Sequence, residues 1–181
     1  MVDGTLKSYR HFRKYTDPEI RDEQDEYFDN DATKKTAPGL FRDRDDITYY
    51  IKDSRLELLD MDELRLLKNS DVAEILKHDK KDIRLKAAIK LAKHYGKDYK
   101  SILNAFRNDY KLPPPLVIRD KQDNLYLMSG NTRIMLAAAL GFNMPVKIVK
   151  YKKTLQTENF KLNKSKMIDV ANWLVKQHKL R

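Results

Sequence analysis

The sequence predicts an α+β fold, and three observations carry that expectation. Residues 71–108 hold apolar positions at helical spacing. Pro113-Pro114-Pro115 then forbids helix, because proline lacks the N–H and restricts the residue before it. Beyond the prolines come two short apolar runs around a polar turn, an apolar helical run and a further β-branched run.

From the N-terminus, residues 1–46 are polar, with an acidic cluster (Asp22, Glu23, Asp25, Glu26) and a Pro38-Gly39 break. They predict an extension with one short helix near Pro18–Phe28 and little core. Ile47-Thr48-Tyr49-Tyr50-Ile51 is β-branched and aromatic and predicts a strand. Arg55–Leu59 predicts a second strand, closing on Asp60-Met61-Asp62-Glu63. Asp71–His78 predicts a short helix, and Asp82–Tyr95 a longer one that stops at Gly96. Asp98 can cap a third helix reaching Asn108. Leu116–Ile118, the turn Asp120–Asn124 and Leu125–Met128 predict a hairpin. Thr132–Leu140 is apolar almost all round, which predicts a buried helix ended by Gly141. Pro145–Tyr151 predicts a strand, and Lys166–His178, with Trp173, a C-terminal helix.

A chain of 181 residues with 41% hydrophobic and 35% charged side chains is long enough for one real core with a heavily solvated surface. The expected organisation is an extension over 1–46, a domain over 47–151 with a helical insertion at about 70–97, and a basic C-terminal helix over 152–181. No apolar run approaches the roughly 18 residues of a membrane span, and Met1-Val2-Asp3-Gly4-Thr5 has no secretory pattern. The lack of cysteine excludes disulfides, thiolate zinc sites and a cysteine nucleophile, and suits a cytoplasmic setting.

The net charge of +10 is unevenly spread. Residues 1–50 hold 9 Lys/Arg against 12 Asp/Glu, whereas residues 147–181 hold 10 against 2. A basic tail on a less basic body predicts attraction to nucleic acid, with Lys150, Lys152, Lys153, Lys164 and Lys166 as the candidates for touching it. Lysine is a point charge rather than a base-reading fork, so those contacts should fall on phosphate.

Chemistry points to Ser129-Gly130-Asn131-Thr132-Arg133, between a predicted strand and a predicted helix start. The first N–H groups of a helix have no internal partner, and its dipole adds partial positive charge there. Gly130 permits a sharp turn and close approach of a ligand, Asn131 or Thr132 can cap the helix or bond an anion, and Arg133 adds a forked donor. This is a predicted phosphate-binding loop.

The stretch Pro114–Ile118, then Leu125–Arg133, then Ala137-Ala138-Ala139-Leu140-Gly141 and Pro145–Val149, resembles the ParB/sulfiredoxin family. Arg55–Leu64 is similar to that family's opening strand and acidic turn, so the resemblance spans roughly residues 55–151. It implies a small mixed sheet with flanking helices. Sulfiredoxins need a cysteine in the loop, so that activity is excluded. CTP-binding members carry a Gly-Glu-Arg-Arg box, of which Gly130 and Arg133 match while Asn131 and Thr132 differ. Free-serine kinases carry an Asp-Gly-His-x-Arg type loop, and ParB-like nucleases a Gly-Asn-Thr-Arg box like the one here. The resemblance implies binding of nucleotide or nucleic-acid phosphate, with either NTP-dependent phosphotransfer or hydrolysis or DNA phosphodiester cleavage. It also implies Mg²⁺ with a nucleoside triphosphate or diphosphate, and Asp60, Asp62 and Glu63 as acid–base candidates. A non-catalytic DNA-binding module of a phage or plasmid is the alternative.

Two weaker patterns remain. The Asp43, Asp45, Asp46 cluster could hold Mg²⁺ or be a solvated loop. Ala92, Gly96 and Ile102 have helix-turn-helix spacing, which would turn Lys100, Asn104 and Arg107 toward DNA.

Overall fold

The computed structural model describes residues 12–29, 40–108 and 110–151. Helix α1 (Asp17–Phe28) starts after Thr16, whose backbone N–H donates to the Glu19 carboxylate at 2.8 Å. Pro18 sits in its first turn, where a missing N–H breaks no helical bond. The expectation of little core in this segment is corrected. Ile20 and Tyr27 of α1 are buried with Tyr15, Phe41, Leu116 and Val149 in one cluster.

Helix α2 (Arg44–Asp53) also corrects the sequence reading, which expected a strand at Ile47–Ile51. Asp43 caps it by accepting the Asp46 N–H at 2.9 Å, and Asp45 and Asp46 lie at the positive end of the dipole. Ile47 and Ile51, one turn apart, are buried, while Tyr49 is exposed. The cap and the four-residue apolar repeat outweigh local β propensity.

The remaining elements follow the expected order, with ends shifted by a residue or two, except that Met61–Leu66, expected only as an acidic turn at its start, is a short helix. They are β1 (Leu56–Leu59), α3 (Met61–Leu66), α4 (Val72–Leu76), α5 (Lys81–His94), α6 (Tyr99–Arg107), β2 (Leu116–Arg119), β3 (Leu125–Ser129), α7 (Asn131–Leu140) and β4 (Met144–Lys150). The strands form one mixed sheet in the order β1-β4-β2-β3. β1 and β4 are antiparallel, β2 and β4 parallel, and β2 and β3 antiparallel. The fold is therefore α+β, a small mixed sheet with flanking helices.

Period-two alternation feeds both sheet faces. Met144, Val146 and Ile148 of β4 join the core beneath α7, whereas Val149 joins the α1–α2 cluster on the other side. Because both faces are covered, β4 is buried along almost its whole length. Helix α7 sits at the centre of the larger core, with Ile134, Met135, Leu136 and Ala137–Ala139 fully buried. Each large apolar side chain there contributes about 1.5–3 kcal/mol relative to exposure. Ala88 and Ala92 let α5 approach α7 closely. The helix ends in a left-handed Gly141, with Gly141 N–H on Ala138 O (3.0 Å) and Phe142 N–H on Ala137 O (2.9 Å). No helix among the described residues is long and apolar enough to cross a membrane.

Candidate functional site

The loop at the head of α7 is fixed first by its glycine. Gly130 has φ +92°, the left-handed region, and it lies against the proline wall. A Cβ there would stand 2.8 Å from Pro115 Cβ in the rigid proline ring and 3.0 Å from both Pro115 Cα and the Arg133 guanidinium, so something must shift to admit it. The first helical bond runs from the Ile134 N–H to Gly130 O at 3.1 Å. The amides of Asn131, Thr132 and Arg133 precede it and have no intrahelical acceptor, so partial positive charge gathers there.

Ser129, Asn131 and Arg133 are each gripped from a different direction. Lys68 runs along the edge of β3, donating its N–H to Leu125 O (2.9 Å) and accepting the Leu127 N–H (2.8 Å). That path brings Asp71 to Asn131. The Asn131 amide donates to Asp71 Oδ2 at 2.6 Å, and the Asp71 N–H donates to Asn131 Oδ1 at 3.2 Å. Tyr95 is pushed up to about 12, first by burial and then by the Asp71 charge. Arg133 donates to the Pro113 carbonyl, and the Tyr15 hydroxyl to Pro114 O at 2.5 Å. Burial raises the Tyr15 pKa, against the opposing charge of Arg133.

The closest cover comes from α1. Ser129 Oγ donates to Glu23 Oε1 at 2.5 Å, and Glu23 is only 8% exposed. Its other oxygen, Oε2, is buried without a hydrogen-bond partner among the described residues. Burial pushes the Glu23 carboxyl up to about 7, aided by Glu26 and opposed by the Ser129 hydrogen bond and by Arg133. Near neutrality it is thus partly the neutral acid, a donor lacking an acceptor. Glu26 is also raised by burial, with Lys97 and then Arg133 pulling it down.

The residues expected to do acid–base work sit in the turn from β1 into α3. Asp60 caps α3, accepting from the Asp62 N–H and the Glu63 N–H, both at 2.9 Å. Glu63 closes the box by accepting the Asp60 N–H at 3.1 Å, and Asp62 is exposed in the first turn. Their turn follows β1, at the opposite edge of the sheet from β3, which leads into the loop. Asp43 and Asp46 are likewise occupied, one as a helix cap and the other by Arg42 at 2.7 Å. Among the described residues no group of three or more His, Asp or Glu could hold a metal ion. Lys150 is exposed at the end of β4. Lys152, Lys153, Lys164, Lys166 and the expected C-terminal helix lie outside the described residues.

Sequence reasoning missed Glu23, Glu26, Asp71 and Tyr15. One pattern could have found Glu23. It shares a helical stripe with Ile20 and Tyr27, and a carboxylate on a buried stripe needs a partner. Compared with protein-family models, curated proteins and solved structures, the chain has no match. What the loop offers is a helix start without a side-chain cap and an arginine bonded to the proline wall, with two carboxyl groups, Glu23 and Asp71, bonded to its Ser129 and Asn131 side chains.

Proposed function

We propose that this chain is a ParB/sulfiredoxin-like domain that binds a phosphate group of a nucleotide or nucleic acid at the head of α7. The ligand would be held by the amides of Asn131, Thr132 and Arg133 and by the Arg133 guanidinium. One observation carries the reading. Beside this helix head lies the buried acid Glu23, whose Oε2 has no partner among the described residues, so an anionic oxygen would satisfy both the amides and the acid. The order β2–β3–α7–β4, with its left-handed glycine and apolar helix, supports the family resemblance.

The chemistry such a site supports is phosphotransfer, NTP hydrolysis or phosphodiester cleavage. The acid–base groups available to it are Glu23 and Asp71, since Asp60 and Glu63 are occupied in capping α3. Mg²⁺ enters as the counter-ion of a bound nucleotide, held mainly by phosphate oxygens and water, because the described carboxylates form no cage for it. That occupation of Asp60 and Glu63 favours a second reading, a DNA-binding module without turnover. Thermal melting with pyrophosphate, nucleotides and a short DNA duplex, with and without Mg²⁺, tests the shared claim. A ligand of the native state raises the melting temperature by mass action. No shift with any of them would refute the phosphate site, and turnover assays on those that bind separate enzyme from module.

A further inference from the structure

Helix α5 carries a charge pattern of nearly one sign. From Ile83 to Lys97 there are five Lys/Arg and no Asp/Glu. A solvated helix face usually interleaves the two signs. Lys86, Lys90 and Lys93 are spaced four and three apart, which stacks them on one face. All are exposed, as is Lys97 just past the Gly96 stop. Among the described residues, Lys86, Lys93 and Lys97 are in no ion pair. The helix dipole favours a cation in the last turn, which accounts for Lys93, and Asp82 stands one turn before Lys86, so of these four neither local reason covers Lys90 or Lys97.

The row has a fixed relation to the loop. The opposite face of α5, through Ala88 and Ala92, packs on α7, whose head is the candidate phosphate site. At the C-terminal end of the row, Lys97 acts on the Glu26 carboxyl, which also feels Arg133. Positive charge therefore runs along α5 toward Glu26, the carboxyl that Arg133 also influences.

We propose that the exposed face of α5, with Lys86, Lys90, Lys93 and Lys97, is a nucleic-acid-binding surface that holds the phosphate backbone of a strand and leads it to the head of α7. This rests on the proposed phosphate site and deepens it, making nucleic acid rather than a free nucleotide the substrate class. The residue type sets the mode of contact. Lysine grips phosphate as a point charge and reads no base edge, so binding is tolerant of sequence and sensitive to salt. The span from Lys86 to Lys93 is about 10 Å at the helical rise, enough to meet successive phosphates on one strand.

The test uses the full chain with Lys86→Gln, Lys90→Gln and Lys93→Gln combined, and anisotropy of a short fluorescent DNA duplex across a salt series. Every phosphate that is no longer neutralised should lower the magnitude of the log–log salt slope by about 0.9. The triple variant should therefore bind at least tenfold more weakly at low salt, with a visibly shallower slope and unchanged pyrophosphate affinity. If the triple variant melts early, the single Lys86→Gln should still lower the slope by the share of one phosphate, about 0.9. An unchanged slope in a folded variant would overturn the inference, as would a wild type that binds no DNA. Failure of the wild type to bind pyrophosphate would instead strike the phosphate site itself, so the two failures are separable.

Discussion

Two turns in this molecule lead from a strand into a helix, and they end differently. At the turn from β1 to α3, Asp60 accepts two N–H groups of the new helix, while Glu63 reaches back to the Asp60 N–H. The Asp62 and Glu63 amides are thus satisfied within the turn's own residues. At the turn from β3 to α7 the capping position is a left-handed glycine, and the first turn has no acidic residue. Its side chains are held by groups from α1, from the segment before α4 and from the proline wall. The first turn is local and closed. The second is assembled from distant parts and has no side-chain cap. The proposed site thus lies at the helix start that its own sequence does not cap and that the surrounding fold holds in place.

The largest expected effect sharpens that contrast at its hinge. Gly130→Ala must fit a Cβ against Pro115 at positive φ, whereas Gly141→Ala faces open space. The first should cost about 3 kcal/mol or more, the second about 1–2 kcal/mol, as read by denaturant midpoints. Equal costs would mean that the proline wall does not hold the loop.

Glu23→Gln should be nearly as large, and it depends on pH. The folded carboxyl titrates at about 7 against a reference of 4.5, so the folded chain holds that proton more tightly. Its stabilisation is full below pH 4.5 and is lost as the pH rises through 7. The loss is on the order of 3 kcal/mol. Glutamine should remove that slope and leave the variant more stable than wild type at about pH 8. Glu19, on the same helix, behaves oppositely. Arg13 holds it down to about 2, so its contribution is present above 4.5 and lost as the pH falls toward 2. Glu26, also raised by burial, contributes in the same direction above pH 4.5, so the difference between the wild-type and Glu23→Gln profiles, not the wild-type profile alone, isolates Glu23. A Glu23→Gln slope equal to wild type would show that the acid is not held in the folded state.

Asp60→Ala is the smallest. It should cost about 1 kcal/mol as a missing cap and leave pyrophosphate affinity unchanged. Normal melting with abolished turnover would restore Asp60 to the chemistry and break the contrast between the turns.

Much of the sheet and of α7 was legible, because hairpin, prolines, glycine and apolar run each specify one local structure. The loop residues themselves were legible for the same reason. The α2 segment was misread because Ile47, Tyr49, Tyr50 and Ile51 carry β propensity, while the deciding cap, Asp43, looked like part of an acidic loop. The cover from α1 was not legible, since Glu23 meets Ser129 across 106 positions. Local patterns identify where a helix begins. They do not say which distant carboxyl lies over it.

The central claim is that the head of α7 binds phosphate through its amides and Arg133. The most direct test is calorimetric titration of pyrophosphate into wild type and Arg133→Ala, with melting measured on both. Arg133 donates to a backbone carbonyl, so its removal should leave the chain folded, at a cost of about 1 kcal/mol. Affinity should fall by roughly 2–3 kcal/mol, on the order of a hundredfold. A folded Arg133→Ala chain that binds pyrophosphate as tightly as wild type would contradict the account.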